Sequence, residues 1–282
     1  MSKENKTFAT GLIDYELIDA GGNRKLERWG EVITIRPERQ AYFQSGMPFS
    51  EWNELAHLEF VLDGKKSGHW IEKNPLPEGD WEIGFEDVRF VLNTTNYKHV
   101  GLFPEQVVNW RVIDEFVAPN HKVLNLFAYT GAASLISRAK GAEVVHVDSV
   151  KQLITWARKN MEASSLDGIR WIHEDAMKFA SRELKRGNKY NLIIMDPPAW
   201  GVGAKKEKWK IEDKLQELMN TASQLLEDDG MLIMNTYSPK VELHEIEGYA
   251  NAFFKSFELS ELWMETTTKK QVFYGYLLRA KK

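Results

Sequence analysis

The chain reads as an α/β protein, with a mostly parallel sheet and covering helices in its C-terminal part and a smaller β-rich region before it. Three observations carry this reading. Between residues 122 and 236, apolar strand-like runs alternate with helix-compatible segments. Several of those runs stop at an acid or a glycine turn, as parallel strands do where they feed a crossover. Residues 1–115 instead hold short alternating runs, with Pro37, Pro48, Pro75 and Pro77 among them and little helical periodicity.

Lys122 to Phe127 predicts a strand, Ala128-Tyr129-Thr130-Gly131 a tight turn, and Ala132 to Ser137 the start of a helix. Ala142 to Asp148 predicts a second strand ending in an acid, followed by a helix with Leu153, Ala157 and Met161 on one face. A third strand spans Gly168 to Ala176 and places Asp175 at its end. Tyr190 to Met195 is a buried strand, stopped at Asp196 because Pro197 and Pro198 forbid both helix and further ladder pairing. Next comes a helix with Ile211, Leu215, Leu218, Met219, Ala222, Leu225 and Leu226 on one stripe, and Gly230 as its C-terminal stop. Met231 to Thr236 gives a fifth strand and Leu243 to Phe254 a helix. Two closing strands, Phe257 to Met264 and Val272 to Leu278, imply one antiparallel insertion.

The domain boundary is expected at 115/116, with residues 1–115 a candidate for substrate recognition. Strands are expected there at residues 14–18, 32–35, 57–62, 69–72 and 88–93, with a turn at Gly64-Lys65-Lys66-Ser67-Gly68. The composition, 43% hydrophobic and 28% charged over 282 residues, is that of a globular protein with an ample core. The polar stretch Met1 to Lys6 and the absence of any run of 18 apolar residues argue against secretion and membrane spanning. A cytoplasmic protein is the expectation. With no cysteine, disulfides and thiolate metal sites are excluded, and the seven histidines show no metal spacing.

Asp148 follows Gly131 by 17 residues, close to the interval at which a strand-end acid meets ribose hydroxyls in nucleotide-type βαβ units. Only one glycine stands where a pyrophosphate fingerprint has three, and no Walker-type loop occurs. A ligand with a ribose and no diphosphate is therefore expected. S-adenosylmethionine fits, since its sulfonium calls for acids and carbonyls rather than amide nests. Asp175 has two readings, adenine contact or helix N-cap, and Phe127 has two, cofactor contact or core.

The motifs Asn125-Leu126-Phe127-Ala128-Tyr129-Thr130-Gly131, Val147-Asp148, Glu174-Asp175-Ala176 and Asp196-Pro197-Pro198 resemble those of class I S-adenosylmethionine-dependent methyltransferases. More narrowly, they resemble the family that includes bacterial large-subunit ribosomal RNA methyltransferases, over roughly residues 98 to 282. The segment Gly101-Leu102-Phe103-Pro104-Glu105-Gln106 is similar to the one leading into the catalytic domain of that family. The resemblance implies a Rossmann-like fold with a mostly parallel seven-stranded sheet. It implies that Asn125, Phe127, Ala128 and Gly131 surround the methionine part, that Asp148 with Ser149 holds the ribose, and that Asp175 and Ala176 flank the adenine. Phe103 and Gln106 would cover the pocket, while Asp196, Pro197 and Pro198 would face the methyl group and its acceptor.

Well-known members of that family methylate carbon 5 of cytosine through a cysteine at the end of the fifth strand. Here that stretch is Asn235-Thr236-Tyr237-Ser238-Pro239, so Tyr237 stands where the thiol would be. A phenol is a poor substitute for a thiolate at neutral pH, so the expected acceptor is a nitrogen of a base, in RNA of ribosomal type. Trp200 is one position late for the aromatic of related amino-methylating motifs. Lys205, Lys206, Lys208 and Trp209 form either an RNA contact or a solvated loop. The net charge of −4 argues against non-specific coating of nucleic acid. A small-molecule methyltransferase and a non-catalytic cofactor-binding scaffold remain alternatives, and the sequence does not fix the oligomeric state.

Overall fold

In the computed structural model of the chain, residues 5–64, 67–202 and 208–282 are described. The chain divides into two compact units. One comprises Phe8–Val108 with Trp263–Tyr274; the other comprises the residues up to Thr7 with Asn109–Leu262 and Gly275–Lys282. A short strand, β1 (Lys6–Phe8), lies at the edge of the larger sheet.

In the first unit, β2 (Tyr15–Gly21), β3 (Arg24–Trp29), β4 (Val32–Pro37), β5 (Leu58–Leu62) and β6 (Gly68–Glu72) form a sheet in that order. All pairs are antiparallel except β4 with β5. A parallel step needs a crossover, and α1 (Phe49–Leu55) provides it, burying Trp52 against Leu26, Ile35 and Ala56. A separate hairpin joins β7 (Glu82–Phe85) to β8 (Val88–Val91).

Sequence periodicity does not reveal β3, because four of its six residues are charged: Arg24, Lys25, Glu27 and Arg28. The structure explains Lys25 and Glu27 as parts of a buried ionic network, while Arg24 and Arg28 are half-buried and pair with Glu59 and Glu16. Glu27 is fully buried, pairs with Arg36 through Nε at 2.7 Å and Nη2 at 2.8 Å, and accepts the Tyr15 hydroxyl at 2.7 Å. Lys25 Nζ lies 3.1 Å from Glu27 and donates to the Tyr274 hydroxyl at 3.1 Å. Burial pushes the Glu27 carboxyl up, but Arg36 and Lys25 outweigh it and hold the group down at about 2.

The larger unit is entered through α2 (Val107–Phe116) and follows strand–helix alternation. Its elements are β9 (Lys122–Leu126), α3 (Ala132–Ala139), β10 (Glu143–Asp148), α4 (Lys151–Ala163), β11 (Ile169–His173), α5 (Ala176–Lys185) and β12 (Tyr190–Met195). There follow a short hairpin of β13 (Trp200–Val202) and β14 (Lys208–Lys210), then α6 (Ile211–Leu225), β15 (Leu226–Thr236), α7 (Leu243–Phe253), β16 (Ser256–Glu265) and β17 (Gln271–Lys281). The sheet order is β1-β16-β17-β15-β12-β9-β10-β11. Its parallel core runs from β15 to β11, and β17 is antiparallel to β15, as the two closing strands lead one to expect. β1 extends the expected seven strands to eight.

Two local expectations are corrected. Helix α6 ends at Leu225, and Leu226 and Gly230 belong to β15. The ladder with β12 jumps from Leu226 to Met231, and a Cβ on Gly230 would come within 3.0 Å of the Tyr190 carbonyl oxygen, so the glycine serves a bulge and not a helix stop. On α4 the buried stripe is Ile154, Ala157 and Asn160, while Leu153 and Met161 are half-buried. The stripe is rotated because Asn160 turns inward to donate to the Thr130 carbonyl at 2.9 Å.

Removing the Glu27 carboxylate strands two buried cations, so Glu27→Ala should cost about 3–5 kcal/mol in denaturant unfolding. Because the folded value lies below the ordinary 4.5, this group's contribution is complete above pH 4.5 and fades as pH falls towards 2. Acid titration of stability should steepen in that window for the wild type and less for the variant; coincident curves would contradict the assignment.

Candidate functional site

The parallel strands end together. Leu126 of β9 is level with Val147 of β10 and Met195 of β12, and Met195 is level with Met234 of β15. Residues just beyond these ends therefore meet at one edge of the sheet: Tyr237, Asp196, Phe127 and Asp148, in strand order. This is the carboxyl edge, where open α/β sheets bind ligands.

The loop after β9 is held in an uncommon shape. Phe127, Tyr129 and Gly131 have φ of 56°, 53° and 90°, so every second residue is left-handed. For two aromatic residues such values persist only when the surroundings impose them. Asp148 imposes them in part: Oδ2 accepts the Tyr129 amide at 2.9 Å and Oδ1 the Val150 amide at 2.8 Å. The Ala128 amide donates to the Val147 carbonyl at 3.1 Å, and Gly131 starts α3 in the left-handed region. A Cβ at Gly131 would stand 3.0 Å from that of Ala157, so space and φ both demand glycine.

Asp148 is 7% exposed, and burial raises its carboxyl above the ordinary 3.8 against the pull of the two amides. A carboxylate offers about four lone-pair positions, so acceptor capacity remains beside these amides. Ser149 follows it, with its carbonyl accepting from His173 Nε2 at 3.1 Å.

Below the loop lies a buried polar chain that sequence reasoning missed. Asn125 Nδ2 donates to Ser134 Oγ at 2.9 Å, and Ser134 Oγ lies 3.1 Å from His146 Nδ1. The signal is present in the sequence, since Asn125 and His146 interrupt otherwise apolar strands and are ladder partners. Burial lowers His146 to about 3, so it is neutral, and its buried Nε2 has no partner. Asn125 is 4% exposed, with its amide directed to α3.

Asp175 takes the N-cap position of α5, accepting the Lys178 amide at 3.0 Å, and Ala176 is buried behind it. Asp196 is half-buried at the end of β12; Pro197 is buried and Pro198 exposed. Trp200 is 55% exposed, and Tyr237 is half-buried after β15. Lys208 is exposed, whereas Trp209 is buried, with Nε1 donating to the Pro198 carbonyl at 2.6 Å. Lys205 and Lys206 lie outside the described residues, as do Lys65 and Lys66 of the expected turn. In the other unit, Phe103 caps the 3-10 turn Pro104–Gln106, with its ring 5.2 Å from His99 and its carbonyl accepting the Gln106 amide at 3.1 Å. Beside them Glu105 is buried, and burial raises its carboxyl to about 7.

A sheet edge with a glycine turn between two strand-end acids is the arrangement of a nucleoside-binding site in an open α/β sheet. The chain belongs to the S-adenosylmethionine-dependent methyltransferase family, which matches residues 36–246. It is similar to the crystal structure of the SAM-dependent methyltransferase from Agrobacterium tumefaciens, with 33% identity, TM-score 0.91, and 98% of this chain and 93% of that one covered. A methyltransferase from Streptococcus mutans shares the fold, with 16% identity and TM-score 0.75 over 97% and 76% of the two chains. Among curated relatives, the ribosomal RNA large subunit methyltransferase K/L of Shewanella frigidimarina is 31% identical over 159 residues, 55% of this chain and 22% of that protein. The chain thus spans about a fifth of the length of the K/L relatives it matches.

The donor set fits S-adenosylmethionine, with a buried strand-end carboxylate on β10 beside the glycine turn that follows β9. No helix among the described residues is long and apolar enough to cross a membrane, and none of their His, Asp and Glu side chains cluster in a metal-holding group.

Gly131→Ala should destabilise the fold by about 1–2 kcal/mol, the scale of a forced left-handed residue, and weaken cofactor binding. Thermal unfolding with and without cofactor checks this, and an unchanged midpoint would show that the turn relaxes freely.

Proposed function

We propose that the chain transfers a methyl group from S-adenosylmethionine to a nitrogen of a base in RNA of ribosomal type, in the cytoplasm. The observation that carries this reading is Asp196-Pro197-Pro198 at the end of β12, next in the sheet to the loop after β9, in a chain without cysteine. The names of the curated relatives support the substrate class.

When bound, the cofactor supplies an electrophilic methyl group on a sulfonium. Asp148 accepts the ribose hydroxyls, Phe127, Ala128 and Gly131 border the methionine part, and Asp175 and Ala176 border the adenine. Asp196 accepts a hydrogen bond from the acceptor nitrogen, turns its lone pair towards the methyl group, and takes the surplus proton as the nitrogen–carbon bond forms. Alignment of this kind supplies much of the rate in a displacement. The two prolines have no N–H and leave the turn rich in acceptors, which suits an amino group and not a ring carbon that needs a nucleophile. Trp200 stacks on the base and Lys208 meets the phosphate. Residues 1–115 serve substrate recognition, supported by the exposed Tyr42 and Tyr97.

Calorimetric titration with S-adenosylmethionine, followed by methyl transfer to unmodified ribosomal RNA, tests the reading. Labelling supports it; cofactor binding without labelling redirects it to a small molecule, and absent binding to a scaffold. Asp196→Ala should lower turnover by at least about 10²-fold with cofactor affinity kept, the range of a lost proton acceptor. Asp148→Ala should weaken cofactor binding by about 1–3 kcal/mol. Since burial raises the Asp148 carboxyl, wild-type affinity should decline as pH drops into the acid range and Asp148 protonates, a decline that the alanine variant lacks.

A further inference from the structure

We infer that Trp209 is a positioning residue that couples the cofactor loop to the acceptor turn. The inference rests on the methyltransferase reading above and assigns Trp209 a role other than stacking on a base.

β14 pairs antiparallel with β13, bringing Trp209 opposite Gly201 and Lys210 opposite Trp200. Side chains alternate across a strand, so Trp209 lies on one face of the hairpin and Lys208 and Lys210 lie on the other. Burial agrees, since Trp209 is 6% exposed and both lysines are exposed. The hairpin is therefore two-faced, and its inner face is this one indole.

The indole makes two contacts that belong to different parts of the site. Its Nε1 donates to the Pro198 carbonyl at 2.6 Å. Pro197 and Pro198 carry no amide hydrogen and offer the turn no donors of their own, and a donor from eleven residues later supplies a brace. The ring packs on Phe127, with centroids 4.9 Å apart and planes at 55°. Phe127 is the first left-handed residue after β9, a conformation that bulky residues hold only under constraint. The same indole thus constrains both the loop assigned to the cofactor and the turn assigned to the acceptor. The Ile211 amide, at the start of α6, closes the connection on the Ala199 carbonyl at 3.3 Å.

Two substitutions separate the contacts. Trp209→Phe keeps a ring against Phe127 and removes the N–H; Trp209→Leu removes both. With thermal midpoints establishing that each variant is folded, Trp209→Phe should bind S-adenosylmethionine with wild-type affinity and lose about 10- to 10²-fold in kcat, the scale of a misaligned reacting group. KM for RNA should stay within about twofold, since a positioning loss falls on the transition state and not on substrate binding. Trp209→Leu should additionally weaken cofactor binding by roughly 2- to 10-fold, the scale of one aromatic pair. Wild-type kcat in the phenylalanine variant, or wild-type cofactor affinity in the leucine variant, overturns the coupling. If the wild-type protein transfers no methyl group to RNA, the substrate reading falls and the cofactor titrations still decide the inference: a weakened leucine variant beside an unchanged phenylalanine variant supports it, and any other pattern refutes it.

Discussion

The candidate site depends on the Asp148 carboxylate receiving two backbone amides at once. Val150 is its near neighbour, but Tyr129 comes from the adjacent strand's loop, so one buried charge fixes the relation between the ends of β9 and β10. The left-handed conformations of Phe127 and Tyr129 are tolerable because donors and packing on both sides specify them. A carboxylate spent wholly on structure would be full. This one is not, and the same carboxylate that shapes the loop keeps acceptor capacity at the sheet edge.

Much of this half of the molecule is legible in the sequence because parallel strands buried on both faces read as continuous apolar runs. Val123-Leu124, Val144-Val145 and Leu192 to Met195 give the strands away, and Gly131 and the Pro197-Pro198 pair mark where they stop. What escapes are places where charge or aromaticity is turned inward. Lys25 and Glu27 make β3 look like surface, although Arg36 and Tyr15 satisfy them in the interior. Trp209 sits among lysines and reads as a solvent-facing aromatic, yet alternation in a three-residue strand sends it to the core. Asn160 rotates the buried stripe of α4 because a loop carbonyl needs its amide. In each case the partner belongs to another element or loop, about which the periodicity of the residue's own element carries no information.

Polar groups are buried at both places and with different chemistry. Under the loop, Asn125, Ser134 and neutral His146 form a chain of uncharged hydrogen bonds, which orients the loop without adding a charge beneath it. In the other unit the network is ionic, and its geometry is satisfied on every side of Glu27. The first suits a site where charge is to be supplied by ligand and acid, the second a scaffold in which mispairing is expensive.

The N-terminal unit is not contiguous in the chain. The hairpin tip from Trp263 to Tyr274 belongs to it and is stitched there by the Ala9 amide on the Trp263 carbonyl, by Thr267 on Glu16, by Thr268 on Asp19, and by Lys25 on Tyr274. A deletion ending near residue 108 would therefore not excise a module; it would leave an orphaned loop with its acceptors gone. Neither half is a detachable part, and an evolutionary exchange of the N-terminal region for another recognition domain would have to rebuild the β16–β17 turn in the same event.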